Sequence, residues 1–185
     1  MTATGIVLIV IAVAVIAILG WYLLRERRSK QLRSQFGPEY EFAMREFGNK
    51  NKAEDALAAR QKRREKIHVR PLSHEEHDRF AADWHDVQGR FVDDPPGSIE
   101  EADRLVSNVM RARGYPMSEF DHRAEDLSVD YPHVVRNYRA AHAIAERQGR
   151  GEVSTEDLRK AFVYYRDLFD ELLEAGVAGH REHRR

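Results

Sequence analysis

Residues 154–173 read STEDLRKAFVYYRDLFDELL, and the spacing within them decides the fold class. Leu158, Ala161, Phe162, Tyr165, Leu168, Phe169, Leu172 and Leu173 recur at steps of three and four, which gives an amphipathic helix a wide apolar face. Ser154 followed by Asp157 has the spacing of a reciprocal cap, and Val153 can staple onto Leu158 across the first turn. Gly176 is expected to end the helix, leaving 176–185 as a flexible tail. A helix cannot hide such a face alone, so other elements must cover it.

Those elements are legible upstream. Tyr131–Gln148 carries Val134, Val135, Tyr138, Ala141, Ile144 and Ala145 on one side, and a shorter helix is expected over Ser118–Leu127. Before it, Asp93–Gly97 reads as a loop. Ser98 with Glu101 then makes a capping box ahead of Ala102, Leu105, Val106, Val109 and Met110, and Gly114 is a left-handed stop. Ser73 with Glu76 repeats the capping-box spacing before Phe80, Trp84, Val87 and Phe91. Nowhere does a period-two alternation run between turn signals, so strands are not expected. The expected fold is all-α, with a small helical bundle over residues 71–175.

Residues 25–70 have a different character. They hold 14 Lys/Arg against 7 Asp/Glu, while residues 71–185 hold 16 against 24. Arg25–Phe36 reads as a charged helix that Gly37-Pro38 interrupts. Pro38 can open a further helix with Tyr40, Ala43, Met44 and Phe47 on one side, and Gly48-Asn49 would end it. Asn51–Lys66 is rich in helix formers but has little apolar stripe, so it reads as an exposed part of a basic helical stalk. Lys62-Arg63-Arg64-Glu65-Lys66 reads as a solvated face. Anionic lipid headgroups are its simplest ligand, at about 1 kcal/mol per cation near an acidic leaflet.

Ile6–Leu24 is an apolar run free of charge, and as a helix it would extend about 28 Å, close to the thickness of a bilayer core. Trp21 and Tyr22 fall where an interfacial aromatic belt belongs. A cleaved signal peptide would need a basic start, yet residues 1–5 hold no Lys or Arg. The small residues Ala12-Val13-Ala14 lie inside the run instead of after it. Arg25, Arg27, Arg28, Lys30 and Arg33 crowd one flank only. This orientation leaves residues 1–5 outside the cytoplasm and the C-terminal domain within it.

Candidate chemistry is sparse. The chain has no cysteine, which excludes disulfides, thiolate nucleophiles and thiolate metal sites. His74-Glu75-Glu76-His77 has its histidines three apart, where the zincin motif needs four. His180 and His183 share that spacing. Glu119 with His122, and more loosely Asp130 with His133, match single elements of a di-iron carboxylate bundle, but inward carboxylates from other helices are lacking apart from Glu146 beside His142. His142 borders an apolar stripe and reads as a core-edge histidine. Trp84, Tyr164 and Tyr165 fit a core. Gly149-Arg150-Gly151 lacks the remainder of a phosphate loop. No nucleophile elbow is present.

Leu32–Tyr40 (LRSQFGPEY), Arg90–Pro95 (RFVDDP) and Tyr138–His142 (YRAAH) resemble an uncharacterised family of bacterial proteins usually labelled membrane, secreted or hypothetical. The resemblance spans most of Leu32–Leu173 and implies no activity, so no functional residue follows from it. The expected protein is a single-pass, membrane-anchored helical domain of the bacterial inner membrane. Its role is expected to be interaction or scaffolding, not catalysis, with membrane lipid and a protein as partners and with no nucleic acid. The alternative is a secreted or cryptic metal-binding protein or enzyme. No catalytic, cofactor-binding or metal-ligating residue is assigned, and no cofactor is expected.

Overall fold

A computed structural model describes the backbone of residues 3–182 and the side chains of residues 11–174. All regular structure among them is α-helical. The chain divides into two compact units, residues 1–57 and 58–185.

The first unit contains α1 (Ala3–Phe36), α2 (Pro38–Phe47) and the first half of α3 (Lys50–Arg64), whose residues 58–64 belong to the second unit. The Gly37-Pro38 break falls where the sequence puts it: Gly37 takes a φ of 45° and Pro38 opens α2. Gly48, at φ 61°, closes α2 in the left-handed conformation. A small core results, because Leu32, Phe36, Tyr40, Ala43, Ala53 and Leu57 are all buried. Glu54 is buried with them, and its carboxylate accepts a 2.8 Å hydrogen bond from the Tyr40 hydroxyl. Burial pushes the Glu54 carboxyl up. Its bonds to Ser29 and Tyr40, together with the charges of Lys50 and Arg25, outweigh that and hold it below the usual carboxylate range. The exposed helix expected over Asn51–Lys66 is therefore half-buried: two apolar and two charged side chains, Ala53, Leu57, Glu54 and Arg60, suffice to seat it.

Upstream of that core the α1 side chains stand open. Ile16 and Leu24 are 69% and 68% exposed, and every large apolar residue from Ile11 to Leu24 is at least half as open as it could be, within a few per cent. Among the described residues no helix is long and apolar enough to cross a membrane. Residues 11–24 alone give only about 21 Å before Arg25. The expected span at Ile6–Leu24 is thus not shown, and its first residues, 6–10, have side chains outside the described set.

The second unit holds α4 (His74–Arg90), α5 (Pro95–Ala112), α6 (Phe120–Asp130), α7 (Val135–Gln148) and α8 (Thr155–Glu182). α8 lies along both α5 and α7, α4 packs on α5 and α8, and α6 packs on α7. The stripe read from residues 154–173 becomes the spine of this core, with Ala161, Tyr165, Leu168, Phe169 and Leu172 essentially inaccessible. Trp84 from α4 stacks between Phe162 and Phe169, with ring centroids at 5.2 and 4.6 Å. Its expected place in a core holds.

Two helix ends depart from expectation. The Ser98 capping box does not form: α5 starts earlier, at Pro95, where the Asp94 carboxylate accepts from the Gly97 N–H at 3.0 Å. Proline at the first helical position behind an aspartate cap is a stronger start than a serine three residues on, so Ser98 is buried inside the helix. α8 does not stop at Gly176 but continues to Glu182. A glycine lowers helix stability by roughly 1 kcal/mol without forbidding a helix. Gly114, by contrast, ends α5 as expected. Its φ is 92°, and a Cβ there would lie 2.6 Å from the His68 carbonyl oxygen.

Candidate functional site

Most side chains singled out for chemistry are spent on structure. Glu76 completes the capping box at the start of α4, accepting from the Ser73 N–H at 2.9 Å while its own N–H reaches the Ser73 hydroxyl at 3.1 Å. Arg70 adds a two-pronged contact at 2.8 and 2.6 Å. The Arg70 bond first, then the Ser73 backbone bond, lower the Glu76 carboxyl to about 2. His77 Nδ1 lies 3.2 Å from Asp78, and among the described residues no group of three or more ligand-type side chains gathers at the 74–77 motif. His180 has no described side chain, and His183 lies outside the described residues.

The Glu119/His122 and Asp130/His133 pairs meet a similar fate. His122 faces Glu125 at 3.3 Å instead of a metal site. Glu125 in turn takes Arg60 at 3.2 Å and Arg63 at 2.7 Å, while Arg63 Nε donates to Asp126 at 2.7 Å. Asp130 accepts from Arg64 at 2.5 Å and from the Tyr115 hydroxyl at 2.5 Å, and His133 is exposed. The basic cluster of α3 is thus paired with an acidic face of α6. Burial pushes Glu125 up, but Arg60, His122 and Arg63 together hold it below the usual range. Only Lys62, Glu65 and Lys66 of the cluster match the solvated face expected.

A buried polar cluster remains between α5, α7 and α8. The His142 ring lies flat on Phe120, centroids 3.6 Å apart, with Asp103 4.0 Å from Nδ1 and Glu146 3.7 Å from Nε2. Behind it are the fully buried phenols of Tyr138 and Tyr165, their rings 6.1 Å apart and edge to face. Burial first and the Asp103 charge second push both phenols up, so both stay protonated. Among the described residues the Tyr138 hydroxyl and His142 Nδ1 lack a hydrogen-bond partner, while Tyr165 faces Asp103. Glu119, Phe120, Arg139, His142 and Glu146 also line an open groove of about 460 Å³.

The chemistry open to this cluster is narrow. The two carboxylates sit at opposite nitrogens of one imidazole, so they cannot converge on a common ion at the roughly 2.0–2.2 Å that metal ligation demands. Among the described residues no group of three or more His, Asp or Glu is placed to hold a metal. No protein-family model matches the chain, and neither do any curated proteins or solved structures. What the arrangement does supply is a polar interior able to hold ordered water.

Sequence reasoning found His142 and Glu146 but missed Asp103 and the pairing of Arg60, Arg63 and Arg64. The signal for the latter was present. Arg60, Arg63 and Arg64 follow an i, i+3, i+4 spacing, which sets three cations on one face, and Glu125, Asp126 and Asp130 set three carboxylates along α6. Arg113 was also missed. It is buried, donating to the Tyr131 hydroxyl at 2.5 Å and to the Leu172 carbonyl at 3.0 Å, and so ties the end of α5 to α6 and α8.

Proposed function

We propose that the chain is a single-pass protein of a bacterial inner membrane, holding a helical interaction or scaffold domain on the cytoplasmic side. The observation that carries this reading is the open apolar surface of α1. Ten large apolar side chains between Ile11 and Leu24 face outward at 49–69% exposure, on every side of the helix. Left in water, that surface forgoes on the order of 10 kcal/mol of burial. Lipid covers a helix that is apolar all round, and the preceding Ile6–Val10 would bring its length to about 28 Å. The one-sided basic flank from Arg25 to Arg33 favours a cytoplasmic C-terminal side.

How the polar groups are used supports a non-catalytic role. Carboxylates that could have formed a site, Glu76, Glu125, Asp126 and Asp130, cap a helix or bind arginines, and His77 and His122 each face a neighbouring carboxylate. The expected partners are membrane lipid and a protein docked on the second unit. Two measurements test the anchor: alkaline extraction of membranes, from which the chain should not be released, and a reporter fused after Arg185, which should be active only as a cytoplasmic fusion. Recovery of a product free in the culture medium, lacking roughly its first two dozen residues, would refute it.

A further inference from the structure

A pocket in the first unit gains a meaning from the anchor reading, on which this inference rests. At the C-terminal end of the apolar run, Trp21, Leu24, Arg25 and Arg28 line one side of a cavity of about 430 Å³, and Asn51, Glu54 and Asp55 of α3 line the other. Residues 21, 25 and 28, and 51 and 55, recur at helical steps, so each helix presents a single face to the cavity. The Arg25 guanidinium lies 5.2 Å from the Trp21 ring centroid and donates to the Asn51 side-chain oxygen. Arg28 meets Asp55 at 3.2 Å, with both side chains largely open. Each guanidinium carries five N–H donors, more than these contacts occupy.

The formal charges in the lining cancel: two arginines against two carboxylates. Glu54 is buried and engaged by Tyr40 at 2.8 Å and Lys50 at 3.7 Å, which leaves Asp55, paired at the surface with Arg28, as the more accessible carboxylate. With α1 in a bilayer, Trp21 marks the interfacial level, where the headgroups lie. A purely anionic headgroup would favour an excess of cations, whereas this lining offers both signs a few ångströms apart.

We propose that this pocket binds the headgroup of a zwitterionic phospholipid with a primary ammonium, phosphatidylethanolamine being the probe. Arg25 and Arg28 take the phosphate, Asp55 takes the ammonium, and the Trp21 and Leu24 side chains meet the glycerol and upper acyl chain. A quaternary ammonium has no N–H to give Asp55, so phosphatidylcholine binds less well.

Native mass spectrometry of the full chain in detergent, with equal amounts of phosphatidylethanolamine, phosphatidylglycerol and phosphatidylcholine, tests this directly. Phosphatidylethanolamine should be retained above both others. Asp55→Asn should reduce its retention roughly tenfold while leaving phosphatidylcholine unchanged, because a charged hydrogen bond is lost. Asp55→Glu should restore it, and Arg25→Gln with Arg28→Gln should weaken all three lipids. Asp55 is exposed, so its replacement leaves the fold intact. Equal or better retention of phosphatidylglycerol, no effect of Asp55→Asn, or equally tight binding of soluble phosphoethanolamine would each overturn the proposal. Alkaline extraction keeps the two readings apart. A chain released by it defeats the anchor, and a chain retained without headgroup preference defeats the pocket alone.

Discussion

Replacing Arg63 by alanine separates a seated α3 from an exposed one. Arg63 bridges Asp126 and Glu125, each at 2.7 Å, and the Asp126 side chain is only 5% exposed. Removing one partner of a fully buried ion pair costs about 3–5 kcal/mol, because the other charge is stranded. Arg63 itself is 41% exposed, so water enters the vacated space and part of that cost is recovered. The expected loss is therefore about 2 kcal/mol. Asp126→Ala should cost less, about 1 kcal/mol, since Arg63 keeps Glu125 and faces solvent. The double variant should show a coupling of about 1 kcal/mol. Lys62→Ala, one residue away on the exposed side, should change stability by less than about 0.5 kcal/mol. Thermal unfolding of the full chain in detergent, followed by circular dichroism, reads these losses as a fall of several degrees for Arg63→Ala. Equal effects of Arg63→Ala and Lys62→Ala would refute the reasoning, because α3 would then be free in solution.

Trp84→Ala should cost about 3–5 kcal/mol and abolish much of the near-ultraviolet dichroism, since it empties the slot between Phe162 and Phe169. Gly114→Ala should destabilise by more than about 1 kcal/mol, combining a left-handed backbone with a 2.6 Å approach to His68. Gly89→Ala, in open space within α4, should instead be neutral or stabilise by up to about 1 kcal/mol in the same melts. For pH, Glu76 sits near 2 when folded against an ordinary 4.5, so its contribution is complete above 4.5 and fades as pH falls towards 2. Glu125 acts in the same sense, while Asp170, pushed up by burial, acts in the opposite one. Melting temperature should fall through that acid window, and Arg70→Gln should flatten the slope; an unchanged slope would count against the Arg70 contact.

The parts of the fold that were legible are those governed by local rules. Steps of three and four fixed which sides of α4, α5, α7 and α8 are apolar, and Trp84, Tyr138 and Phe169 are buried accordingly. Proline and glycine fixed the breaks at Gly37, Gly48 and Gly114. Ser98 misled because a capping box can be written wherever Ser precedes Glu by three, whereas Asp94 and Pro95 compete for the same helix end. α3 misled because its burial depends on a few small and charged residues, and the acidic partners of Arg63 lie more than sixty positions away. Asp103 was invisible for a related reason: it follows Ala102 on α5, and only packing against α7 and α8 brings it to His142 and the buried phenols.

The position of α8 in the chain order has a consequence for biosynthesis. α4, α5 and α7 all lean on α8, which leaves the ribosome after them. Until it emerges, α4 and α5 can pack on each other and α6 on α7, but the side of Trp84 that stacks on Phe162 and Phe169 and the α8-facing sides of α5 and α7 stay uncovered. α1, with its open apolar side chains, leaves the ribosome well before α8. Translation arrested ahead of residue 154 would yield a nascent polypeptide with uncovered apolar helices, a natural substrate for chaperones and quality-control proteases.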